Sequence, residues 1–396
     1  MTASPDSPVL IAGGGIGGLA AALALSKAGI ASHVLERRAD FTEAGAGIQI
    51  GPNGTRVLGA IGASPWLREH VAVPDTLQVR DALTGEKITR MPLGDWIAKR
   101  HGSPYWTAHR QDLHAALLQA ARAAPNITLT TGTTAEAVTQ STTGVTLRCA
   151  ESGTTLAGTA LIAADGLWST LRAKHFDPAP ARPAGKNAYR TVVPVSSLPE
   201  GLAVNDAHIW LTAGAHVVHY PVRAGREHAF VIIFEEPQHT LGWSTQVEAA
   251  FVRARAQRLA PSLRVLLEAG ENWRVWSLHE LAMPHRWSNG RIGLLGDAAH
   301  PVLPFLAQGA VLALEDASVL AHELSQNSGS VSGALVRYED RRRARALRVQ
   351  SASRRNGRIY HLAGTLAKAR DNVLRRSPPT LLMRQYDWLY GWKPPA

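Results

Sequence analysis

Five glycines in six residues, GGGIGG at 13–18, directly follow the apolar run VLIA. An apolar run that ends at glycine predicts a central parallel strand, and the Ala/Leu-rich residues 16–29 predict a helix. In a Gly-x-Gly-x-x-Gly loop, the first glycine permits a tight turn, the second lets backbone approach a pyrophosphate, and the third lets helix and strand pack closely. These positions are held by Gly13, Gly15 and Gly18, and Ile16 opens the helix whose free N–H groups face the phosphates.

An acidic residue accompanies this loop at the expected distance. Residues 31–37 predict a second strand, and Glu36 stands near its end, 23 positions after Gly13. A carboxylate there holds the hydroxyls of a ribose, so Glu36 and the adjacent Arg37 belong to the predicted nucleotide site. A glycine-rich turn in some other α/β protein is the alternative. The loop by itself does not separate FAD from NAD.

Two later segments have the same strand-then-turn pattern. Residues 161–172, LIAADGLWSTLR, place Asp165-Gly166 after an apolar strand. Residues 290–324 contain an apolar strand that ends at Gly296-Asp297, then a proline-rich turn and a helix. In this order and at these separations, the three segments resemble the single-component FAD-dependent aromatic hydroxylases, which are built like para-hydroxybenzoate hydroxylase. The resemblance covers nearly the whole chain.

The resemblance implies a cofactor, two co-substrates and a reaction. The cofactor is FAD. NADH or NADPH reduces the FAD and binds only transiently, since the sequence contains no second nucleotide-binding loop. The reduced FAD then reacts with O2 to give a C4a-hydroperoxyflavin, which hydroxylates a small aromatic substrate. An FAD-dependent epoxidase, N-hydroxylase or reductase on the same scaffold is the alternative. A non-catalytic basic binding protein is a third possibility.

Further cofactor-binding residues are implied by the same resemblance. Asp297 accepts hydrogen bonds from the flavin's sugar-alcohol chain, although a helix N-cap is its alternative role. Arg110 contacts FAD from a helix start, unless it pairs with a helix acid. The segment GAGIQIGPNG lines the isoalloxazine ring, and the helix that opens at QGA stabilises negative charge on the reduced ring. These two segments add Gly47, Ile48, Gln49, Gly309 and Ala310 to the predicted site.

The substrate contacts are predicted on the strand AHVVHYPVR. His216 and Tyr220 are four residues apart, so they point to one face of a strand, and His219 points to the other. A His-x-x-x-Tyr-Pro strand resembles the subgroup that acts on 3-hydroxybenzoate or 6-hydroxynicotinate, in which the histidine assists deprotonation of a phenol and the tyrosine orients the ring. An imidazole of near-neutral pKa suits that task. Gln308 faces the substrate in this subgroup, with a helix-capping or structural role as its alternative.

The expected fold is α/β. A Rossmann-like FAD-binding domain is interleaved with a mixed β-sheet substrate domain and is followed by a helical C-terminus. We assign residues 1–180 to the FAD-binding domain, 181–284 to the substrate domain, and 285–396 to the returning Gly-Asp segment and the C-terminal helices. Four successive antiparallel strands are predicted in the second segment, at 187–195, 207–213, 215–223 and 227–236, with helices near 245–269.

Composition narrows the setting of the protein. The single cysteine, Cys149, excludes an intramolecular disulfide and favours a cytoplasmic location. Residues 7–26 are uncharged but rich in glycine and lack a preceding lysine or arginine, so we interpret them as a buried strand and helix rather than a signal or membrane segment. No metal site is predicted.

The charge is uneven along the chain. Of the formal net charge of +11, residues 337–358 contribute nine arginines against Glu339 and Asp340. A nucleic-acid or acidic-membrane patch is one interpretation. The run lacks interleaved aromatic residues, so we favour a solvated helix face with some arginines paired to acids elsewhere. The C-terminal tail is expected to cover the core or to form a subunit contact, as in a homodimer.

The expected substrate is a small hydroxylated aromatic carboxylate of the 3-hydroxybenzoate, salicylate or hydroxynicotinate type. The sequence leaves open which ring position is attacked, whether the carboxylate is lost and which nicotinamide cofactor is used.

Overall fold

Two large β-sheets organise the chain in a computed structural model that describes residues 7–42, 45–199, 205–236, 243–326 and 330–395. The strands of this part of the chain are β1 (Val9–Ala12), β2 (Ser32–Leu35), β3 (Gly47–Ile50), β4 (Thr76–Asp81), β5 (Lys87–Pro92), β6 (Trp106–His109), β7 (Ile127–Thr130), β8 (Ala135–Gln140), β9 (Val145–Cys149), β10 (Thr155–Gly158), β11 (Ala160–Ala163), β12 (Arg182–Pro194), β13 (Ala207–Thr212), β14 (Ala215–Val222), β15 (Glu227–Glu235), β16 (Trp243–Val247), β17 (Trp273–Glu280), β18 (Ser288–Asn289) and β19 (Ile292–Leu294).

The helices connect and cover these strands. They are α1 (Ile16–Lys27), α2 (Pro52–Ala60), α3 (Ser64–Leu67), α4 (Gly94–His101), α5 (Arg110–Arg122), α6 (Thr170–His175), α7 (Ala249–Ala256), α8 (Pro261–Glu268), α9 (Gly309–Ser325), α10 (Val331–Tyr360), α11 (Gly364–Arg376), α12 (Pro379–Arg384) and α13 (Asp387–Tyr390).

The first sheet has six strands in the order β18-β19-β11-β1-β2-β7. All of its pairings are parallel except that of the short edge strand β18. Its central strand β1 is buried at every residue, and α1, the helix that follows it, packs against both α5 and α9. This is the arrangement that apolar strands and an Ala/Leu-rich helix predict, and the α/β fold is confirmed.

Strand register explains why the three glycine-bearing segments meet. Ala12 of β1 lies beside Leu35 of β2 and Ala163 of β11, and Ala163 lies beside Leu294 of β19. Each parallel strand therefore ends at one edge of the sheet. The glycine loop, Glu36, the Asp-Gly segment and the Gly-Asp segment follow directly from those four ends, which is where α/β proteins bind ligands.

The second sheet has eight strands in the order β16-β17-β12-β15-β14-β13-β4-β5. The four predicted strands appear as β12, β13, β14 and β15, and their pairings are antiparallel. β13, β14 and β15 pair in succession as expected, whereas β12 pairs with β15 and not with β13. The expected helices near 245–269 appear as α7 and α8, after β16.

The second sheet also contains strands from the first part of the chain. β4 pairs parallel with β13, and β5 forms the edge, so residues 76–92 join the sheet that was assigned to 181–284. The three-segment division stays a proposal, and in it this hairpin belongs with the substrate sheet.

The arginine-rich run lies on α10, a helix of 30 residues, and several of its side chains pair with acids of α9. Arg342 binds Glu315 and Asp316, Arg345 binds Glu315, and Arg337 and Arg341 bind Glu323. These pairs confirm that arginines of this helix find acids elsewhere in the chain.

The tail packs on the rest of the protein. Met383, Leu389 and Tyr390 are buried in an apolar cluster that also contains residues of β5 and β14. None of the helices in the described part of the chain combines the length and apolar character that crossing a membrane requires.

Candidate active site

A cavity of about 510 Å³ opens between the carboxyl edge of the first sheet and one face of the second. Every residue of the predicted site except Gly18 lines it. His216 and Tyr220 come from the second sheet. The others come from the loops and helices around the first sheet and from β3, which forms a two-stranded sheet with β6: Gly13, Gly15, Ile16, Glu36, Arg37, Gly47, Ile48, Gln49, Arg110, Asp297, Gln308, Gly309 and Ala310. The fold thus brings together residues that are up to 297 positions apart, but the role of each residue stays a prediction.

The three glycines of the loop are required for different reasons. Gly13 has φ +115°, and a Cβ there would lie 2.4 Å from the carbonyl oxygen of Ala164. A Cβ on Gly18 would lie 1.9 Å from the carbonyl oxygen of Gly13. Both glycines are therefore needed by the protein's own packing.

Gly15 is different, because nothing in the protein excludes a side chain. Its backbone is extended at φ −76°, which any residue adopts, and a Cβ would meet no atom within 4 Å. That Cβ would project into the cavity at the N-terminus of α1, where the first N–H groups have no intrahelical acceptor. The open space is compatible with the predicted phosphate contact at Gly15, which stays a prediction.

Glu36 is fixed beside the loop by two backbone donors. The N–H of Gly14 donates to its Oε2 at 2.9 Å, and the N–H of Arg38 donates to its Oε1 at 2.9 Å. The carboxylate thus borders the cavity in a defined orientation, with further acceptor capacity for sugar hydroxyls.

The other end of the cavity is built from the Gly-Asp turn and the start of α9. Asp297 is exposed in a short turn of 3₁₀ helix, Gly296–Ala298, whose N-cap residue is Leu295, and the N-cap residue of α9 is Gln308. Asp297 is therefore not a helix N-cap. A Cβ on Gly309 would lie 3.9 Å from Oδ1 of Asp297, so the Asp297 carboxylate lies beside the N-terminus of α9.

Gln308 occupies the N-cap position of α9 without capping the helix through its side chain. The amide of Asn53 donates to its Oε1 at 3.0 Å, and the side chain is almost fully buried. One side of the amide is thus tied to α2 while the residue lines the cavity. His300, by contrast, hydrogen-bonds Asp316 beneath the cavity and does not line it.

Strand β14 turns toward the cavity the side chains that its alternating pattern predicts. His216, Val218 and Tyr220 of β14 line the cavity. His219 points to the other side of the sheet, where its ring stacks on His208 with centroids 4.5 Å apart. The ring of Tyr220 lies against Gly47, where a Cβ would approach it to 2.5 Å.

The pKa of His216 differs from the near-neutral value that the sequence suggested. Burial lowers the pKa of His216 well below its ordinary value, and the nearby His361 and Lys186 lower it further. Its Nδ1 is 2.7 Å from Nε2 of His361. The imidazole is therefore neutral at neutral pH and can accept a proton, but as an isolated base it is weak.

Arg190 is a cavity residue that the sequence analysis did not select. It stands on the cavity face of β12, its Nε has no hydrogen-bond partner among the described residues, and the ring of Trp276 lies 5.0 Å from its Cζ. Burial lowers the pKa of Arg190 to about 10, which leaves it charged at neutral pH. The sequence feature that could have identified Arg190 is its position as the only charged residue in the apolar strand NAYRTVVPV.

Residues 6–353 match the family model described as FAD binding domain. A curated relative, the 3-hydroxybenzoate 6-hydroxylase of Polaromonas naphthalenivorans (strain CJ2), is 37% identical over 98% of this chain and 96% of its own length. The chain is a flavoprotein monooxygenase of the FAD-dependent aromatic hydroxylase family. FAD is accordingly its cofactor, which the space above Gly15 at one end of the cavity and the Asp297 turn at the other accommodate.

Solved structures agree with this assignment. Klebsiella pneumoniae HpxO, solved with FAD and uric acid, superimposes with a TM-score of 0.84 at 27% identity, over 96% of this flavoprotein monooxygenase and 95% of HpxO. A salicylate hydroxylase solved as a substrate complex gives a TM-score of 0.81 at 25% identity, over 98% and 99% of the two chains.

Proposed function

We propose that this monooxygenase hydroxylates a small aromatic carboxylate that already carries a hydroxyl group, with NADH or NADPH as reductant and O2 as oxygen source. The name of the Polaromonas relative supports this substrate class. So does a Streptomyces platensis relative named 3-amino-4-hydroxybenzoate 2-monooxygenase, which is 34% identical over 97% of this chain and 96% of its own length. The observation that carries the proposal is that one cavity holds a partly buried arginine, a neutral imidazole and a tyrosine.

The strand register supports a shared substrate for these three groups. Arg190 lies beside Val231, and Val231 lies beside Val218, so the arginine stands two strands away from the midpoint between His216 and Tyr220. Two strand spacings are about 10 Å between backbones. Because all three side chains line the same cavity, we infer that the substrate lies between them, with its carboxylate at Arg190 and its hydroxyl at His216.

Each side chain then has a defined task. The Arg190 guanidinium forms a charge-assisted pair with the substrate carboxylate. Tyr220 is held by a hydrogen bond with Gln49, and burial raises its pKa, so it stays a neutral donor that orients the ring. His216 accepts the phenolic proton at the atom that is not bonded to His361. A phenolate ring is richer in electrons and reacts faster with an electrophilic oxygen.

We assign the cofactor contacts to the residues that line the rest of the cavity. The N-terminus of α1 and Gly15 hold the pyrophosphate, and Glu36 holds the ribose. Asp297 holds the sugar-alcohol chain, and the N-terminus of α9 stabilises negative charge on the ring. When bound and reduced, FAD supplies the electrons and the activated oxygen of the reaction. The second sheet covers the cavity and keeps bulk water away from that oxygen.

Substrate control of reduction tests this function. The sequence contains no second Gly-x-Gly-x-x-Gly loop, so we expect the nicotinamide cofactor to bind transiently. Hydroxylated benzoates and pyridine carboxylates should be screened for stimulation of NADH and NADPH oxidation, with peroxide and hydroxylated product measured in parallel. A substrate should accelerate stopped-flow reduction of the flavin and yield product in proportion to the reductant consumed.

Two outcomes would contradict the proposal. If no hydroxylated aromatic carboxylate yields product, the substrate class is wrong. If flavin reduction is equally fast with and without every productive substrate, control by the substrate is wrong. For the cellular setting we propose the cytoplasm, where the buried free thiol of Cys149 stays reduced. A homodimer stays a proposal that sedimentation measurements test.

A further inference from the structure

His216 is the first member of a chain of hydrogen bonds that leaves the cavity. Its Nδ1 lies 2.7 Å from Nε2 of His361, and Nδ1 of His361 lies 2.8 Å from Oε1 of Glu235. Nζ of Lys186 lies 3.2 Å from the same Oε1. The side chain of His361 is 2% exposed, whereas that of Glu235 is 47% exposed. The chain therefore begins at the buried cavity and ends at solvent.

The sheet and α10 hold these groups in line. His216 lies beside Ile233 of β15, and Glu235 is two residues further along that strand, on the same face. Lys186 of β12 lies directly beside Glu235. His361 is the C-cap residue of α10, a helix of 30 residues. Its imidazole lies between His216 and Glu235 and hydrogen-bonds both. Phe305 and Tyr360 pack on the ring of His216, with centroids 5.6 and 5.3 Å away.

The carboxylate fixes the direction of every hydrogen bond in this chain. Burial pushes the pKa of Glu235 upward, but hydrogen bonds from His361 and Lys186 outweigh it and hold the pKa below its ordinary value. An ionised carboxylate only accepts hydrogen bonds, so Nδ1 of His361 carries a proton and Nε2 is its acceptor. Nδ1 of His216 must then donate. Its Nε2 is left as an unprotonated acceptor.

Resting on the function proposed above, we propose that His361 and Glu235 form a proton relay, which holds His216 in the acceptor tautomer and passes the substrate's phenolic proton to solvent. His361 and Glu235 are positioning and relay residues, because neither lines the cavity.

The proton transfers balance without any other reactant. The phenol O–H bond breaks and its proton joins Nε2 of His216, while the proton on Nδ1 of His216 moves to Nε2 of His361. The proton on Nδ1 of His361 moves to Glu235, which releases it to water. Rotation of the His216 and His361 imidazole rings between turnovers restores the starting tautomers. The relay also explains how an imidazole that is weak in isolation acts as a base, since Glu235 compensates the transient positive charge.

Two conservative variants remove the relay, and the first of them, Glu235→Gln, is isosteric. Glu235→Gln and His361→Gln keep hydrogen-bonding groups in place but cannot pass a proton on. Asp387→Asn is the matched control, because Asp387 also pairs with a buried histidine, His101, at 3.4 Å and lies outside the cavity. FAD absorbance and melting temperature establish that each variant is folded and loaded.

The readout is ionisation of a bound probe by the oxidised enzyme, without turnover. The probe is a nitro-substituted 3-hydroxybenzoate, whose phenolate absorbs visible light, mixed in a stopped-flow instrument with a pH-indicator dye. In the unmodified enzyme and in Asp387→Asn, phenolate formation and proton release should occur together and rapidly. In Glu235→Gln and His361→Gln both should be about 10- to 100-fold slower, which is less than the full loss of a general base. Added imidazole should restore the rate of His361→Ala.

Three results would overturn the relay. They are variants that match the unmodified rate, a probe that binds the unmodified enzyme without ionising, and a His361→Ala enzyme that imidazole does not restore. Each is distinct from failure of the proposed function, which would appear as the absence of any hydroxylated aromatic product from the unmodified enzyme.

Discussion

Replacing Gly15 by valine should separate the cofactor site from the fold. The position has extended backbone, and a Cβ there would meet no protein atom within 4 Å, so a β-branched residue fits the apoprotein. Gly15 is the N-cap residue of α1 and makes no side-chain capping bond. An apolar residue at an N-cap costs about 0.5–2 kcal/mol relative to the favourable residues, and glycine itself costs a few tenths, so the apoprotein should lose less than about 2 kcal/mol.

The same substitution should remove FAD almost completely. The branched side chain occupies the space in which the pyrophosphate would lie when it accepts hydrogen bonds from the N–H groups at the start of α1. Loss of two hydrogen bonds to a charged group costs about 3–6 kcal/mol, since each contributes about 1.5–3 kcal/mol. That loss raises the dissociation constant about 100- to 10,000-fold. The ratio of flavin to protein absorbance should fall accordingly, while urea unfolding of the apoprotein changes little.

Gly18→Ala is the control, because its effect should be the reverse. A Cβ on Gly18 would lie 1.9 Å from the carbonyl oxygen of Gly13, so the backbone of the loop must shift, and overpacking costs about 1–3 kcal/mol. This variant should lose apoprotein stability first. A Gly15→Val protein that is purified with full FAD content would refute the assignment of the pyrophosphate to this loop.

Three further predictions concern the second sheet. His216→Gln should lower the hydroxylation rate about 100- to 10,000-fold with FAD retained, and peroxide should replace product, whereas His219→Gln should keep the ratio of product to reductant unchanged. Arg190→Met should raise KM for a hydroxybenzoate far more than for the corresponding phenol without a carboxylate; equal effects on both would contradict a carboxylate contact. Burial lowers the pKa of His208 and of His228 to about 4, so the unfolded chain binds more protons than the folded one between pH 6.5 and 4. Stability should therefore be fully present above pH 6.5 and should fall by about 2 kcal/mol per histidine at pH 5, as measured by urea unfolding; a flat profile would mean that these rings gain partners on protonation.

The sequence was most informative where chemistry depends on local spacing. The glycine loop, Glu36 and the two later strand-turn segments could each be located because strand ends and glycines punctuate the chain, and parallel register then brings them to one edge. The His-x-x-x-Tyr spacing likewise predicted a shared face. These inferences need only the period of a strand and the topology of a parallel sheet.

Contacts between distant segments could not be predicted in the same way. The hairpin of β4 and β5 joins the second sheet by pairing with β13 more than 100 residues later, and no local pattern distinguishes that edge from others. The pKa of His216 was misjudged for a similar reason. Its low value comes from burial and from His361, a residue 145 positions away at the end of α10.

The C-terminal helices therefore contact residues of the candidate site as well as covering the core. Arg342 of α10 is fully buried and binds Glu315 and Asp316 of α9, the helix whose N-terminus borders the cavity. Burial pushes the pKa of Asp316 upward, but His300 and Arg342 outweigh it and hold the pKa at about 2. The pair of Asp316 and Arg342 therefore stays ionised at neutral pH, and it fixes α10 against α9. Because α10 is fixed at that point, its last residues can place His361 against His216 with hydrogen-bonding accuracy, although the two strands that meet there belong to another sheet.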